Sequence, residues 1–235
     1  MTTRGRAYYN EIDPYCAQWL RNLIDAGHIA PGDVDERSIV DVQPSDLSGY
    51  VQCHFFAGLG GWAYAARLAG WPDSRPVWTG SCPCPPFSSA ARGRRAGFED
   101  PRDLWPAWKK LIASNAPSIV FGEQVAHGSS WIDRTSADLE ALDYEVGAAV
   151  LPAIGVGQDH TRPRVYFVGY TNRNREPSMH LNAEMAGLPG HRSDAGEMVQ
   201  SNGVSNRMAV FSAFGNAVVP QVAAEFIGAF AECAA

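Results

Sequence analysis

From residue 51 onward, short strand-like runs alternate with helix-length segments. Val51–Phe56, Pro76–Thr79, Ile119–Phe121, Val146–Leu151 and Arg164–Tyr170 read as strands, and Trp62–Ala69, Asp103–Ser114, Ser130–Leu142 and Gln221–Cys233 as helices. Strands alternating with helices of this length predict a parallel, doubly wound α/β sheet. Upstream, Ala7–Asn10 is a short strand, and Ser38–Val42 is a second. Between them Asp13 caps a helix with Pro14 in its first turn, Cys16, Ala17, Leu20, Leu23 and Ile24 form its apolar face, and Gly27 ends it. Residues 171–213 are different: polar, rich in Asn, Ser, Gly, His and Met, with no sustained period. They divide the chain into a main α/β domain, 1–170 plus 214–235, and a small irregular annex, 171–213. A stretch of that length without regular structure inside a compact domain is expected to be functional.

Composition narrows the class. The 235 residues are 46% hydrophobic and carry 7 Trp, 8 Tyr and 10 Phe, which suits a packed interior rather than a disordered chain. No apolar run approaches the roughly 18 residues that cross a bilayer, and the first residues have no apolar signal core. A cytoplasmic protein with no membrane partner is expected. The five cysteines form no CxxC pair and the six histidines are scattered, so neither a zinc site nor a disulfide framework is expected.

The net charge of −6 conceals segregation. Residues 1–50 are acidic, whereas Arg92, Arg94, Arg95 and Arg102 with Lys109 and Lys110 form one basic island and Arg162, Arg164, Arg173 and Arg175 another. Basic islands in an acidic chain suit phosphate contacts, and arginine clamps phosphate bidentately. A GC-rich coding bias accounts equally well for the excess of arginine over lysine, less well for the clustering.

Four places carry chemistry. Phe56-Ala57-Gly58-Leu59-Gly60-Gly61 joins a strand to a helix, a turn that brings backbone against a ligand or simply packs helix on strand. Pro83-Cys84-Pro85-Pro86-Phe87-Ser88 follows the next strand, and its prolines favour a presented thiol over a buried small hydrophobe. Glu123 closes a strand at the same sheet edge, either as a crevice acid or as an exposed loop acid. Arg162 and Arg164 flank Pro163 where the chain re-enters the sheet, and strand alternation points them to opposite sides.

In this order the four elements resemble the DNA (cytosine-5) methyltransferase family. The glycine turn is similar to that family's cofactor turn, and Pro83–Ser88 to its proline-cysteine nucleophile loop. Gly122-Glu123-Gln124-Val125 resembles its Glu-Asn-Val element, His160–Arg164 its Gln-x-Arg-x-Arg element, and Gly215–Pro220 its terminal GNSVVP. The resemblance implies a Rossmann-like sheet of the S-adenosylmethionine-dependent type. It implies Cys84 as the nucleophile at cytosine C6, Glu123 at the N3/N4 edge, Arg164 at O2 and Arg162 beside the thiol. S-adenosylmethionine would be held by Phe56–Gly61, Asn216 and Ala217. In duplex DNA the cytosine must be flipped out, and Ser88, Arg92, Arg94, Arg95, Arg173 and Arg175 are expected to touch the nucleic acid.

The likeness is imperfect in informative places. Pro85 stands where the family has Gln, and His160 where Gln is also usual. Glu11 with Ile12 looks like the ribose element and Asp41 with Val42 like the adenine element, yet both precede the glycine turn. A circularly permuted cofactor half is therefore expected. The short annex implies a short or degenerate target of about two to four base pairs, because few contacts are available for discrimination. Two other readings stay open: the same chemistry on RNA or single strands, and a DNA- or cofactor-binding module without turnover. Host evasion by a phage and bacterial restriction-modification both suit the sequence.

Overall fold

The first strand and the helix after it show how local sequence sets the frame. In the computed structural model, which describes residues 6–83, 103–126, 129–158, 161–171 and 217–233, β1 is Ala7–Asn10 and α1 is Pro14–Asp25. The Asp13 side chain accepts from the backbone N–H groups of Tyr15 and Cys16, and Pro14 occupies the first turn. The cap satisfies donors that a helix start leaves open. Cys16, Ala17 and Leu20 are buried, as their spacing requires.

The remaining strands are β2 (Gly32–Asp35), β3 (Gln52–Phe55), β4 (Val77–Gly80), β5 (Ile119–Val125), β6 (Glu145–Leu151) and β7 (Arg164–Tyr170). The helices are α2 (Gly61–Leu68), α3 (Trp105–Asn115), α4 (Ser129–Glu140) and α5 (Pro220–Cys233). The described strands form one seven-stranded sheet in the order β2-β1-β3-β4-β5-β7-β6. β7 is antiparallel to β5 and β6, and the other pairs are parallel. This is the doubly wound α/β sheet that the alternation predicts, of the Rossmann-like type that the resemblance implies, with the antiparallel β7 as its departure from a wholly parallel sheet.

The two faces carry separate cores. On one, Trp105, Trp108, Leu111 and Ile112 of α3 and Trp131 of α4 pack on Phe55, Trp78, Val120 and Phe167. On the other, Trp62 and Ala66 of α2 and Val222, Ile227 and Phe230 of α5 pack on Phe121, Tyr166 and Val168, with Leu20 of α1 and Tyr9 of β1 alongside. Gly122 shows how tight the first face is. A Cβ there would stand 2.1 Å from the Phe167 ring, so only glycine lets that ring lie across β5.

One expected strand is corrected. Ser38–Val42 is not a strand: Ile39–Asp41 is a 3₁₀ turn, and the edge strand is Gly32–Asp35. Ile39 and Val42 are three apart and both buried with Leu47. A 3₁₀ turn puts positions three apart on one side, whereas a strand would send them to opposite faces. The true strand, Gly-Asp-Val-Asp, has no apolar run to betray it. Its acids are paired instead, Asp33 with Arg6 and Tyr50, Asp35 with Tyr8 and Arg37, which charges an otherwise open edge. Part of the expected annex, residues 172–213, lies outside the described residues.

His54 in β3 is wholly buried, stacked on Tyr9 with its Nδ1 2.8 Å from the Thr79 hydroxyl, while Nε2 has no partner. Burial depresses its pKa from 6.5 to about 3. The unfolded chain therefore takes up a proton at this histidine between those values and the folded chain does not. The protonation-linked cost of burying His54 is absent above pH 6.5 and grows progressively as pH falls from 6.5 towards 3. Urea midpoints measured from pH 7.5 to pH 5 should fall for the wild type and fall less steeply for His54→Gln.

Candidate active site and cofactor turn

The glycine turn is built by left-handed backbone. Phe56, Gly58 and Gly60 have φ of 51°, 53° and 81° between β3 and α2, and a bulky residue at Gly58 or Gly60 would be strained there. A Cβ on Gly60 would also press on Leu23 and Leu20 of α1, at 3.1 and 3.2 Å. Glu11, at the end of the neighbouring β1, reaches across to this turn. Its Oε2 accepts from the Gly58 N–H at 2.6 Å, and its Oε1 accepts from the Asp13 N–H at 2.8 Å. One carboxylate thus ties the end of β1 to the glycine turn, although the two partners are 47 residues apart in the chain.

These residues fit a nucleoside cofactor. A carboxylate accepts about four hydrogen bonds, so Glu11 keeps capacity for a ribose diol after its two backbone bonds. Ile12 beside it is 63% exposed, an apolar side chain open to a flat base. Phe56 packs edge-on to Trp108, ring centroids 6.2 Å apart, which fixes the ring at the head of the turn. Asp41 is exposed at the end of its 3₁₀ turn, while the Val42 side chain is buried in the core. Ala57, Leu59 and Gly61 lie in the same turn and the first residue of α2.

Glu123 lies inside β5 rather than at its end, since the strand runs on to Val125. It is 7% exposed. In the antiparallel register Glu123 stands opposite Tyr166 and Val125 opposite Arg164, so Glu123 and Arg164 are diagonal neighbours on one face. Arg164 Nε is 2.9 Å from Glu123 Oε1. Ser81, just past β4, is hydrogen-bonded to the same carboxyl. Burial pushes the carboxyl's pKa up, and Arg164, Arg162 and the Ser81 hydrogen bond pull against it without cancelling the rise.

Arg162 corrects the alternation argument. It is not in β7 but precedes it in a left-handed conformation, φ 31°, so the two arginines do not point to opposite sides. Both act on Glu123. Burial depresses the Arg162 pKa, as does repulsion from Arg164, and Glu123 offsets part of that. Its NH2 group also donates to the Ala217 carbonyl at 3.1 Å, which joins the segment before β7 to the start of α5.

Glu123, Arg162, Arg164 and Ala217 thus come together, and Glu11 joins the glycine turn. Cys84, Ser88, Arg92, Arg94, Arg95, Arg173, Arg175 and Asn216 lie outside the described residues, with Pro83 the last one before the thiol. Two residues beside this site, Ser81 and Trp62, belong to no motif that the sequence singles out. Only the parallel pairing of β4 with β5, Gly80 beside Gly122, brings Ser81 alongside Glu123.

Comparison with known proteins agrees with this geometry. The family model described as C-5 cytosine-specific DNA methylase matches residues 71–201. The Type II methyltransferase M.AplI of Arthrospira platensis is 30% identical over 132 residues, 54% of this chain and 36% of its own length. The Type II methyltransferase M1.ScrFI of Lactococcus lactis is 32% identical over 109 residues, 44% of this chain and 27% of its own. The matched part of this chain thus spans about a third of the first relative and less of the second. Among solved structures, Spodoptera frugiperda DNMT2 superposes with a TM-score of 0.50 at 15% identity, covering 77% of this chain and 47% of that one, a likeness of fold.

If Glu11 braces the turn, Glu11→Ala should expose the Gly58 amide. Hydrogen exchange read by NMR should show that amide losing about tenfold or more of its protection, the expected effect of losing a bond to a charged acceptor.

Proposed function

Because the chain belongs to the C-5 cytosine-specific DNA methylase family, we propose that it methylates C5 of a flipped cytosine in DNA through a covalent Cys84 adduct. The observation that carries this reading is the convergence of Arg164 and Arg162 on the buried Glu123, one strand from the β4 segment that leads to Cys84.

Cytosine C5 is a weak nucleophile. A thiolate from Cys84 adds at C6, and the ring becomes an enamine once N3 is protonated. Glu123 is suited to give that proton, since desolvation favours its neutral form. Arg164 holds the base O2 and keeps the carboxyl oriented, and Arg162 braces the site through Ala217. S-adenosylmethionine supplies an electrophilic methyl on its sulfonium sulfur. Phe56–Gly61, Glu11, Ile12, Asp41, the backbone of Val42, Asn216 and Ala217 would hold it, with Glu11 toward the ribose. Loss of the C5 proton and expulsion of the thiolate restore the ring.

The sheet order supports a circularly permuted cofactor half. In the family the adenine strand is at one edge, the ribose strand next and the glycine-turn strand third. Here β2, β1 and β3 occupy those places in the sheet but follow one another in the chain as ribose, adenine, glycine turn. Residues 36–51 make the step from β2 over β1 to β3, helped by two 3₁₀ turns at Ile39–Asp41 and Pro44–Leu47. Residues 171–213 are assigned target recognition, and Ser88, Arg92, Arg94, Arg95, Arg173 and Arg175 contacts to the nucleic acid.

Incubation with labelled S-adenosylmethionine and 5-fluorocytosine duplex DNA should give a denaturation-resistant adduct that Cys84→Ser abolishes. An adduct formed only on fluorinated RNA would move the substrate class, and cofactor binding with no adduct on either would make the chain a binding module. Steady-state assays of Glu123→Gln should show turnover on unmodified DNA down by about 10²–10⁴-fold, with cofactor affinity by calorimetry nearly unchanged.

A further inference from the structure

Trp62 lies in the first turn of α2, directly after the glycine turn. Its ring stacks on Phe121 at 6.1 Å and meets Tyr166 edge-on at 5.9 Å. Those two residues bracket Glu123: Phe121 is two positions before it on β5, and Tyr166 is its cross-strand partner on β7. The indole is therefore clamped on the face of the sheet that carries the carboxyl. From there its Nε1–H donates to Ser81 Oγ at 3.0 Å, and Ser81 is in turn hydrogen-bonded to Glu123.

The direction of this chain is fixed at one end. Indole N–H is a donor only, so it occupies a lone pair of the Ser81 oxygen and leaves the Ser81 proton for the carboxylate. The hydroxyl is thus turned one way by a residue that cannot reverse its role. We propose that Ser81, held by Trp62, is a positioning residue for Glu123, fixing how that carboxyl faces an incoming cytosine. This rests on the methyltransferase reading, and it assigns Trp62 and Ser81 a duty that neither has in the motif comparison.

The duty has a sign. Glu123 faces Arg164 and Tyr166 from β7, Arg162 from the segment before it, and Ser81 from the segment after β4. Ser81 is the one neutral hydroxyl donor among the groups that pull its pKa down. Donation to the carboxylate favours the charged form, so removing the hydroxyl makes Glu123 hold its proton to higher pH. Activity that depends on protonated Glu123 then persists to higher pH. Its maximum falls because the carboxyl is less well oriented. Neither guanidinium is altered by the substitution, so the movement is assigned to the hydroxyl alone.

The test uses the full chain and two readouts. The first is the titration of the Glu123 side-chain carboxyl by ¹³C NMR, assigned by its loss in Glu123→Gln. The second is the pH profile of methyl transfer to duplex DNA. Ser81→Ala should raise the Glu123 titration and the alkaline limb of kcat by about one pH unit, lower maximal kcat about tenfold and leave KM for S-adenosylmethionine unchanged. Ser81→Thr, which keeps the hydroxyl, should restore the wild-type limb. Trp62→Phe, which keeps an aromatic ring but loses the N–H, should move both readouts the same way by less. An unmoved Glu123 titration in Ser81→Ala would overturn the proposal, as would a shift that Ser81→Thr fails to reverse. A shifted titration in a protein that methylates no cytosine substrate would instead uphold the coupling and sink the methyltransferase reading.

Discussion

A carboxyl with almost no access to solvent faces two guanidinium groups, and its neutral and charged forms are held in contest by that arrangement. Desolvation alone would keep Glu123 protonated; Arg164 at 2.9 Å, Arg162 and Ser81 pull it the other way. A buried ion pair of this kind is weak evidence for stability, because taking both charges out of water costs about what their attraction returns. Under the proposed reaction Glu123 serves as a proton donor, because desolvation favours the neutral form.

The antiparallel β7 makes this arrangement possible. Running against β5, it sets Arg164 beside Val125 and Tyr166 beside Glu123, so that the arginine lies diagonal to the acid on one face. Arg162 then arrives from a left-handed corner outside the strand and is tied to the start of α5 through Ala217. α5 packs closely on α2, and α2 opens with the glycine turn that Glu11 braces. The carboxyl site and the glycine turn are thus connected through packed elements rather than through a flexible loop. Trp62 is common to both, since it begins α2 and spans Phe121 and Tyr166.

Which strands are legible in a sequence depends on how they are buried. β4, β5 and β7 are buried along most of their length and read largely as apolar runs, whereas β3 is buried with Gln52 and His54 inside it. β2 is at the edge, and its acids are satisfied by Arg6, Arg37 and two tyrosine hydroxyls. Hydrophobic patterning has nothing to detect there, and the neighbouring Ile-Val-Asp-Val segment offered a false candidate whose apolar residues serve a 3₁₀ turn. The end of β5 was misjudged for a related reason. Glu123 and Gln124 are polar, so the apolar run ends early, yet both are buried and the strand continues through them.

What the linear chain determines by itself is most of the elements, the edge strand β2 excepted, and the local chemical motifs. The strand-turn-helix at Phe56–Gly61, the capped α1, the acid in Gly122–Val125 and the arginines flanking Pro163 are all local patterns, written over a few residues. What only the tertiary structure decides is which of these groups meet. The Glu11 contact with Gly58 spans 47 residues, and Arg162 reaches Ala217 across 55. Trp62, Ser81 and Glu123 form one hydrogen-bonded line only because β4 pairs with β5 and α2 packs across them. Periodicity reports which side of an element is buried, and it carries no information about which distant element will cover that side.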